Sequence, residues 1–267
     1  MSSSKLTIKL VGILNVTPDS FSDGGIFLDP KRAIHSALTM IEQGAAFIDV
    51  GGVSTRPGSK EVPLDEEWAR IGPVVQALGK RIPLSIDTYR AEIARRALDC
   101  GAQMINDVTA LHDHAMASTV ARYSAKLVLM YSAHQRAHCF DGYQGNDIVQ
   151  SAHSFLAAKI KMAESQGMSP DALILDPGMG GFLSKDPADS WAMLKGCGSL
   201  HELCPRLMLG VSRKSFLRIQ SEQAARDRDR VSALLSHEFC QRPNKFKELY
   251  LRVHNIALHH AWLFADA

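Results

Sequence analysis

No apolar stretch in this chain approaches the length of a membrane span. Its opening residues, MSSSKLTIKL, lack the apolar centre of a secretory signal. The expectation is a cytoplasmic protein with no membrane partner. An excess of charge is missing too: 30 Lys and Arg face 28 Asp and Glu, for a net charge of +2. Such a balance gives no field for nucleic acid. The densest basic run, RDRDR at 226–230, alternates with acids and reads as a solvated helix start. Paired cysteines are absent: the five cysteines include no CxxC, which predicts free thiols in a reducing compartment. His134, His138 and Cys139 lack a second ligand pair, so no zinc site is expected there. His259 and His260 are read as solvent-facing near the end of the last helix.

What is present is a large apolar complement: 46% of 267 residues are hydrophobic. That suffices for one core, and residues 1–267 are read as a single domain. Short apolar runs alternate with amphipathic ones. Strands are predicted near Thr7–Leu14, Phe47–Val50, Leu84–Ile86, Met104–Ile105, Lys126–Met130, Leu173–Leu175, Leu207–Gly210 and Tyr250–Val253. Three- and four-residue apolar spacing predicts helices over Ala33–Glu42, Ala91–Asp99 and Phe155–Gln166. Gly44 and Gly101 stand where a left-handed residue ends a helix. Eight repeats of strand and helix argue for an α/β fold of the (β/α)8 TIM-barrel type, with an open doubly wound sheet as the alternative. The stretches 15–30, 51–64 and 131–150 read as long loops. The first two, with 181–185, are expected to be mobile lids.

The most informative segment is VGILNVTPDSFSDGG at 11–25, where a buried strand gives way to polar turn residues. The same grammar recurs. Asn15, Asp49, Asp87, Asn106, Asp176, Ser212-Arg213-Lys214, and Arg252 with His254 stand at or just after strand ends. In a barrel these point into one mouth. Asp87, Asn106 and Asp176 suit a flat heterocycle rich in N–H donors. Asn15, Thr55, Arg56, Arg252 and His254 form a cationic, donor-rich rim that suits phosphate. Lys214 follows strand seven, a usual place for anion binding in barrels.

With these residues in place, the chain resembles the dihydropteroate synthase family. The resemblance rests on GILNVTPDSFSDGG (12–25), DVGGVSTRPGS (49–59), SIDT (85–88), INDV (105–108), DPGMG (176–180), SRKSF (212–216) and RVH (252–254). It implies condensation of 6-hydroxymethyl-7,8-dihydropterin diphosphate with 4-aminobenzoate, assisted by Mg²⁺, in a homodimer that sulfonamides target. It also implies roles. Asp87, Asn106, Met130, Asp176 and Lys214 would hold the pterin. Asn15, Thr55, Arg56, Arg252 and His254 would hold the diphosphate, with Asn15 at the metal. Thr55, Pro57, Gly181, Phe182, Lys214 and Ser215 would line the aminobenzoate site. Asp87, Asp176, Lys214, Arg252 and His254 would be the catalytic set.

The sequence departs from the family pattern in places. Gly181 stands where an aromatic is common, with Phe182 next and the following lysine at Lys185. Val53 replaces a usual Glu, Ala110 a usual Gly, and Asn255 a usual Asp. The FLS form at 182–184 resembles the branch containing the plasmid-borne sulfonamide-resistance enzymes. Three alternatives stay open: a methyltetrahydrofolate-binding methyltransferase barrel, a non-catalytic pterin-binding paralogue, and a phosphate-binding barrel of unrelated activity, which leaves the seven ordered motifs unexplained. The first should lack STRPG and SRKS, which are present; the second should have lost one of Asn15, Arg56, Lys214 or His254, and none is lost.

Overall fold

Side chains alternate in direction along a strand, so each strand of a closed sheet sends every second residue inward. The computed structural model describes residues 6–17, 29–55, 58–134, 138, 143, 145–217, 225–243 and 245–264, with 225 and 226 by backbone only. Eight parallel strands close a barrel in chain order: β1 Thr7–Asn15, β2 Phe47–Gly51, β3 Leu84–Asp87, β4 Met104–Asp107, β5 Lys126–Met130, β6 Leu173–Asp176, β7 Arg206–Leu209 and β8 Glu248–Val253. The helices that follow them are α1 Pro30–Glu42, α2 Leu64–Leu78, α3 Ala91–Asp99, α4 Met116–Arg122, α5 Ile148–Ser165, α6 Pro187–Gly196, α7 Ala225–Gln241 and α8 Ile256–Phe264. The TIM-barrel expectation is met. Among the described residues no helix is long and apolar enough to cross a membrane.

Two apolar layers result. Outward strand residues such as Leu10, Ile48, Ile86 and Leu251 pack under the helices. Inward residues Val11, Met104, Val128, Ile174, Met208 and Tyr250 fill the barrel's middle with no exposure. Below this plug, Lys9 donates to Glu248 at 3.0 Å and Tyr250 donates to the same carboxylate at 2.5 Å. Above it the inward positions turn polar. The plug thus confines the candidate chemistry to the C-terminal mouth, as barrels generally do.

Most predicted strands run slightly longer in the structure, because the polar residue after the apolar run still pairs. Asp87 pairs with Asn106, and Asp176 with Met130. Helix α5 begins at Ile148 rather than Phe155, since the Asp147 side chain accepts from the Val149 and Gln150 N–H groups at 3.0 Å. Gly44 and Gly101 adopt φ of +101° and +100°, as expected. A Cβ on Gly44 would also come within 2.5 Å of the His260 ring.

Two surface readings are corrected. The RDRDR run does begin α7, but Asp229 is buried and paired with Arg213 rather than solvated. His259 is fully buried, its Nδ1 2.8 Å from the Asn255 carbonyl; only His260 faces outward. The α7–α8 contact covers this face of α8, and neither sequence neighbour reveals it.

Candidate active site

The polar layer is organised around Asp49, whose exposure is 0%. Its Oδ1 accepts from Ser85 Oγ at 2.5 Å. Its Oδ2 accepts from Asn106 Nδ2 at 3.1 Å and Arg252 Nε at 2.6 Å. Arg252 Nη2 continues to Asp87 Oδ2 at 2.7 Å. Four strands are thereby linked across the barrel. Two acceptors are left over: among the described residues, buried Asp87 Oδ1 and Asn106 Oδ1 have no hydrogen-bond partner. Burial pushes the Asp87 carboxyl up, Arg252 opposes this, and the Asp49 carboxylate adds to it.

Asp176 ends β6 at 6% exposure, and its Oδ1 accepts from the Gly178 N–H at 2.8 Å. It caps its own turn, not a helix. Gly178 has φ +70°, and a Cβ there would meet the Tyr131 carbonyl oxygen at 2.1 Å, so only glycine makes this turn. Burial raises the Asp176 carboxyl, against the pull of the Gly178 N–H and Lys214. Met130, beside Asp176 in register and buried, supplies apolar wall.

The segment after β7 sends three consecutive side chains three ways. Ser212 Oγ accepts the His254 backbone N–H at 3.2 Å and lies 2.9 Å from His254 Nδ1. The hydroxyl has a lone pair to accept from an Nδ1–H and a proton to donate to a bare Nδ1, so this contact suits either neutral tautomer. Burial, with Arg213 and Arg252 nearby, pushes His254 down to about 3, which favours the neutral ring. Arg213, with φ +57°, turns away and grips Asp229 of α7 with two bonds of 2.6 and 2.7 Å. It does not enter the mouth, contrary to expectation; a carboxylate on α7 claims it. Lys214 does reach the mouth and lies 4.6 Å over the Phe182 ring. Ser215 opens the next turn and is exposed.

The rim is less cationic than its residue types suggest, because His254 is neutral and Arg252 is committed to two carboxylates. Thr55 is buried. Asn15, the last residue of β1, is half-buried. Arg56 and Pro57 lie outside the described residues, as does most of 15–30.

The start of the 181–185 segment is hydrogen-bonded to the residues after β5. The Phe182 carbonyl accepts from Ala133 N–H at 2.9 Å, and the Gly181 carbonyl lies 2.8 Å from His134 Nε2. The Gly180 N–H donates to Ser190 Oγ at 3.0 Å. His138 has a different partner, lying 2.7 Å from Ser59 Oγ. Among the described residues no three His, Cys, Asp or Glu side chains gather for a metal, and Cys139 lies outside them.

A family profile described as "Pterin binding enzyme" matches residues 11–246. A dihydropteroate synthase from Synechocystis sp. is 41% identical over 78% of this chain and 72% of its own length. The chain belongs to the dihydropteroate synthase family. Solved members superpose on it closely. A Xanthomonas albilineans dihydropteroate synthase solved with 4-aminobenzoic acid gives a TM-score of 0.86 at 35% identity, covering 97% of this chain and 92% of that one. The Anaplasma phagocytophilum dihydropteroate synthase with bound 6-hydroxymethylpterin-monophosphate gives 0.81 at 35%, covering 96% and 97%.

The fold explains several departures from the dihydropteroate synthase pattern. Asn255 Oδ1 accepts from the Leu258 N–H at 3.0 Å and caps α8, a task Asn performs as well as Asp. Ala110 has φ +48°, which is why glycine is at home there; Asp107 holds this turn by accepting from Thr109 and Leu111 N–H groups at 2.9 and 2.7 Å. Val53 is simply buried. Sequence reasoning placed Asp49 at a strand end but gave it no task. Its signal is the alternation in FIDVG, which turns a carboxylate inward where it must find donors.

Proposed function

We propose that this chain joins 6-hydroxymethyl-7,8-dihydropterin diphosphate to 4-aminobenzoate, giving 7,8-dihydropteroate and pyrophosphate for folate biosynthesis. The observation that carries the proposal is the pair of buried acceptors unpartnered among the described residues, Asp87 Oδ1 and Asn106 Oδ1, at the same end of the barrel as Asp176. Unmade hydrogen bonds at buried oxygens cost roughly 1–3 kcal/mol each, which a ligand rich in N–H groups would recover. The aminopyrimidine edge of a pterin is such a ligand.

The reaction breaks the C–O bond at the pterin methylene, and the electron pair leaves with pyrophosphate. The arylamine nitrogen then forms the C–N bond and releases one proton. Carboxylates at Asp87 and Asp176 stabilise the positive charge that develops on the pterin. Asn15, Thr55, Arg56, Arg252 and neutral His254 receive the leaving group. An arylamine is nucleophilic when neutral, so the chemistry needs no covalent nucleophile. Lys214 and Phe182, already stacked, with Thr55, Pro57, Gly181 and Ser215, wall the aminobenzoate site. Sulfonamides, which mimic that substrate, would enter the same wall.

Mg²⁺ belongs to this reading. The half-buried Asn15 offers one amide oxygen at the mouth, and Mg²⁺ takes most of its ligands from substrate phosphates and waters. Bound there, the ion would neutralise charge on the departing pyrophosphate. A homodimer is also proposed. Leu234 on α7 and Trp262 on α8 are 43% and 42% exposed and suit a partner's apolar surface. Free Cys100, Cys197, Cys204 and Cys240 are consistent with a cytoplasmic setting.

A pyrophosphate-release assay tests the reaction. Release is expected only when the pterin diphosphate, 4-aminobenzoate and Mg²⁺ are all present. Release that ignores 4-aminobenzoate, or none at all, would overturn the assignment.

A further inference from the structure

Asp49 has no surface to offer a ligand. Its side chain sits under Ser85, Asn106 and Arg252, and both its oxygens are occupied. It nevertheless decides what the mouth presents. An ionised carboxylate only accepts hydrogen bonds. The Asn106 amide, 3.1 Å away, therefore has one tolerable orientation, with Nδ2 toward Asp49. The reverse would set oxygen against oxygen in a buried site. With the amide held this way, Asn106 Oδ1 is turned from Asp49 and left without a partner among the described residues. The pairing of Asp87 with Asn106 across β3 and β4 puts the two residues that carry these acceptors side by side. A ligand with two adjacent N–H donors fits such a pair. A reversed amide would present a donor beside an acceptor and would suit a different heterocycle edge.

We infer that Asp49 is a positioning residue that sets the hydrogen-bonding polarity of the pterin pocket by fixing the Asn106 amide, with Arg252 as its second dependant. The inference rests on the proposed pterin site. Arg252 keeps Asp87 as a partner when Asp49 is removed, so the larger consequence falls on Asn106.

The test measures 6-hydroxymethylpterin binding by fluorescence titration, with thermal midpoints recorded for each variant. Asp49→Ala should weaken binding more than tenfold although its side chain never meets the ligand. Asp49→Asn keeps an oxygen for Arg252 Nε and Asn106 Nδ2, while the Ser85 hydroxyl can turn to accept from the new amide. It should stay within threefold of wild type. In an Asn106→Ala background, Asp49→Ala should cost less than a further threefold. An Asp49→Ala loss below threefold, or an equal loss in both backgrounds, overturns the inference and leaves the functional reading standing. A wild-type protein that does not bind the pterin overturns both. Should Asp49→Ala fail to fold, the wild type still decides. The Asn106 side-chain amide, assigned in nitrogen-15 spectra by its absence from Asn106→Ala, should exchange slowly with solvent in the ligand-free protein. Exchange at the rate of an exposed asparagine would overturn the inference.

Discussion

The two ends of the barrel are built from the same strands but close their polar groups differently. At the base, Lys9, Glu248 and Tyr250 form a closed triangle. Arg206 is likewise consumed by Asp171 and the Leu173 and Pro170 carbonyls. At the mouth, a chain of bonds runs from Ser85 through Asp49 and Arg252 to Asp87, yet ends with two buried acceptors unused. Polar residues alone therefore do not mark the site, since both ends have them. Nor does an unsatisfied atom by itself, since Gln166 Oε1, Arg228 Nε and His259 Nε2, on or capping the outer helices, also lack partners among the described residues; what marks the mouth is that its two unused acceptors sit on inward-facing strand residues. A buried oxygen left without a donor is a standing cost to the fold, and the mouth carries that cost where a ligand can remove it.

The strongest way to break this contrast is Asp176→Asn. The Gly178 N–H holds whichever atom accepts at Oδ1, so the asparagine oxygen stays there and its NH₂ takes the Oδ2 position. A donor then faces the ligand's donor. Pterin affinity should fall more than a hundredfold, about 3 kcal/mol, while the free protein's thermal midpoint barely moves. Equal affinities in titrations of the two proteins would remove Asp176 from the site.

At the base the effect should invert. Glu248→Gln keeps an oxygen for Tyr250 or Lys9 but loses the charge. Both ionic partners are more than a quarter exposed. The cost to stability should therefore be about 1 kcal/mol, with pterin affinity unchanged. A pH series sharpens the point. Burial opposes ionisation of Glu248, but the bonds from Tyr250 and Lys9 prevail and its carboxyl lies below the ordinary range. Its contribution is thus present above the ordinary Glu value and is lost as pH falls through the lowered one. Denaturant melts should show wild type and Glu248→Gln converging in acid. A constant gap, or a weaker pterin complex in the variant, would undo the separation of base from mouth.

The eight strands and the residues at their ends were legible because both signals are local: apolar-rich strands of four to nine residues, most with a polar residue at or shortly after the end. Asp87, Asn106, Asp176 and Lys214 were located that way. Their partners were not. That Arg252 serves two carboxylates, that Arg213 leaves the mouth for Asp229, and that His259 is buried all depend on elements far apart in sequence. Direction within a loop was also hidden. Ser212, Arg213 and Lys214 are adjacent, and only the left-handed backbone at Arg213 separates their targets. The bonds from Ala133 and His134 to the carbonyls of Phe182 and Gly181 were hidden too, because their partners lie far apart in sequence, 47 residues for His134 and Gly181.

The smallest expected signal sits at the edge of the mouth, in His254. Solvated imidazole titrates near 6.5, but burial and two neighbouring guanidinium groups push this one down to about 3. In the folded protein it should stay neutral through the physiological range, with Nδ1 held by Ser212. The linkage sign follows. The unfolded chain takes up a proton near pH 6.5 and the folded one does not, so acid favours unfolding. Between about pH 7 and 6 this residue alone should cost roughly 0.7 kcal/mol of stability. His259, also buried with its value lowered, contributes in the same direction, so the slope for His254 must be isolated by comparison with His254→Asn. Proton spectra of the imidazole C2–H give the direct check: the His254 resonance should not move between pH 8 and 5. A midpoint near 6.5 would mean that the mouth is wetter than its geometry indicates, and that its rim meets pyrophosphate with a cation rather than a neutral ring.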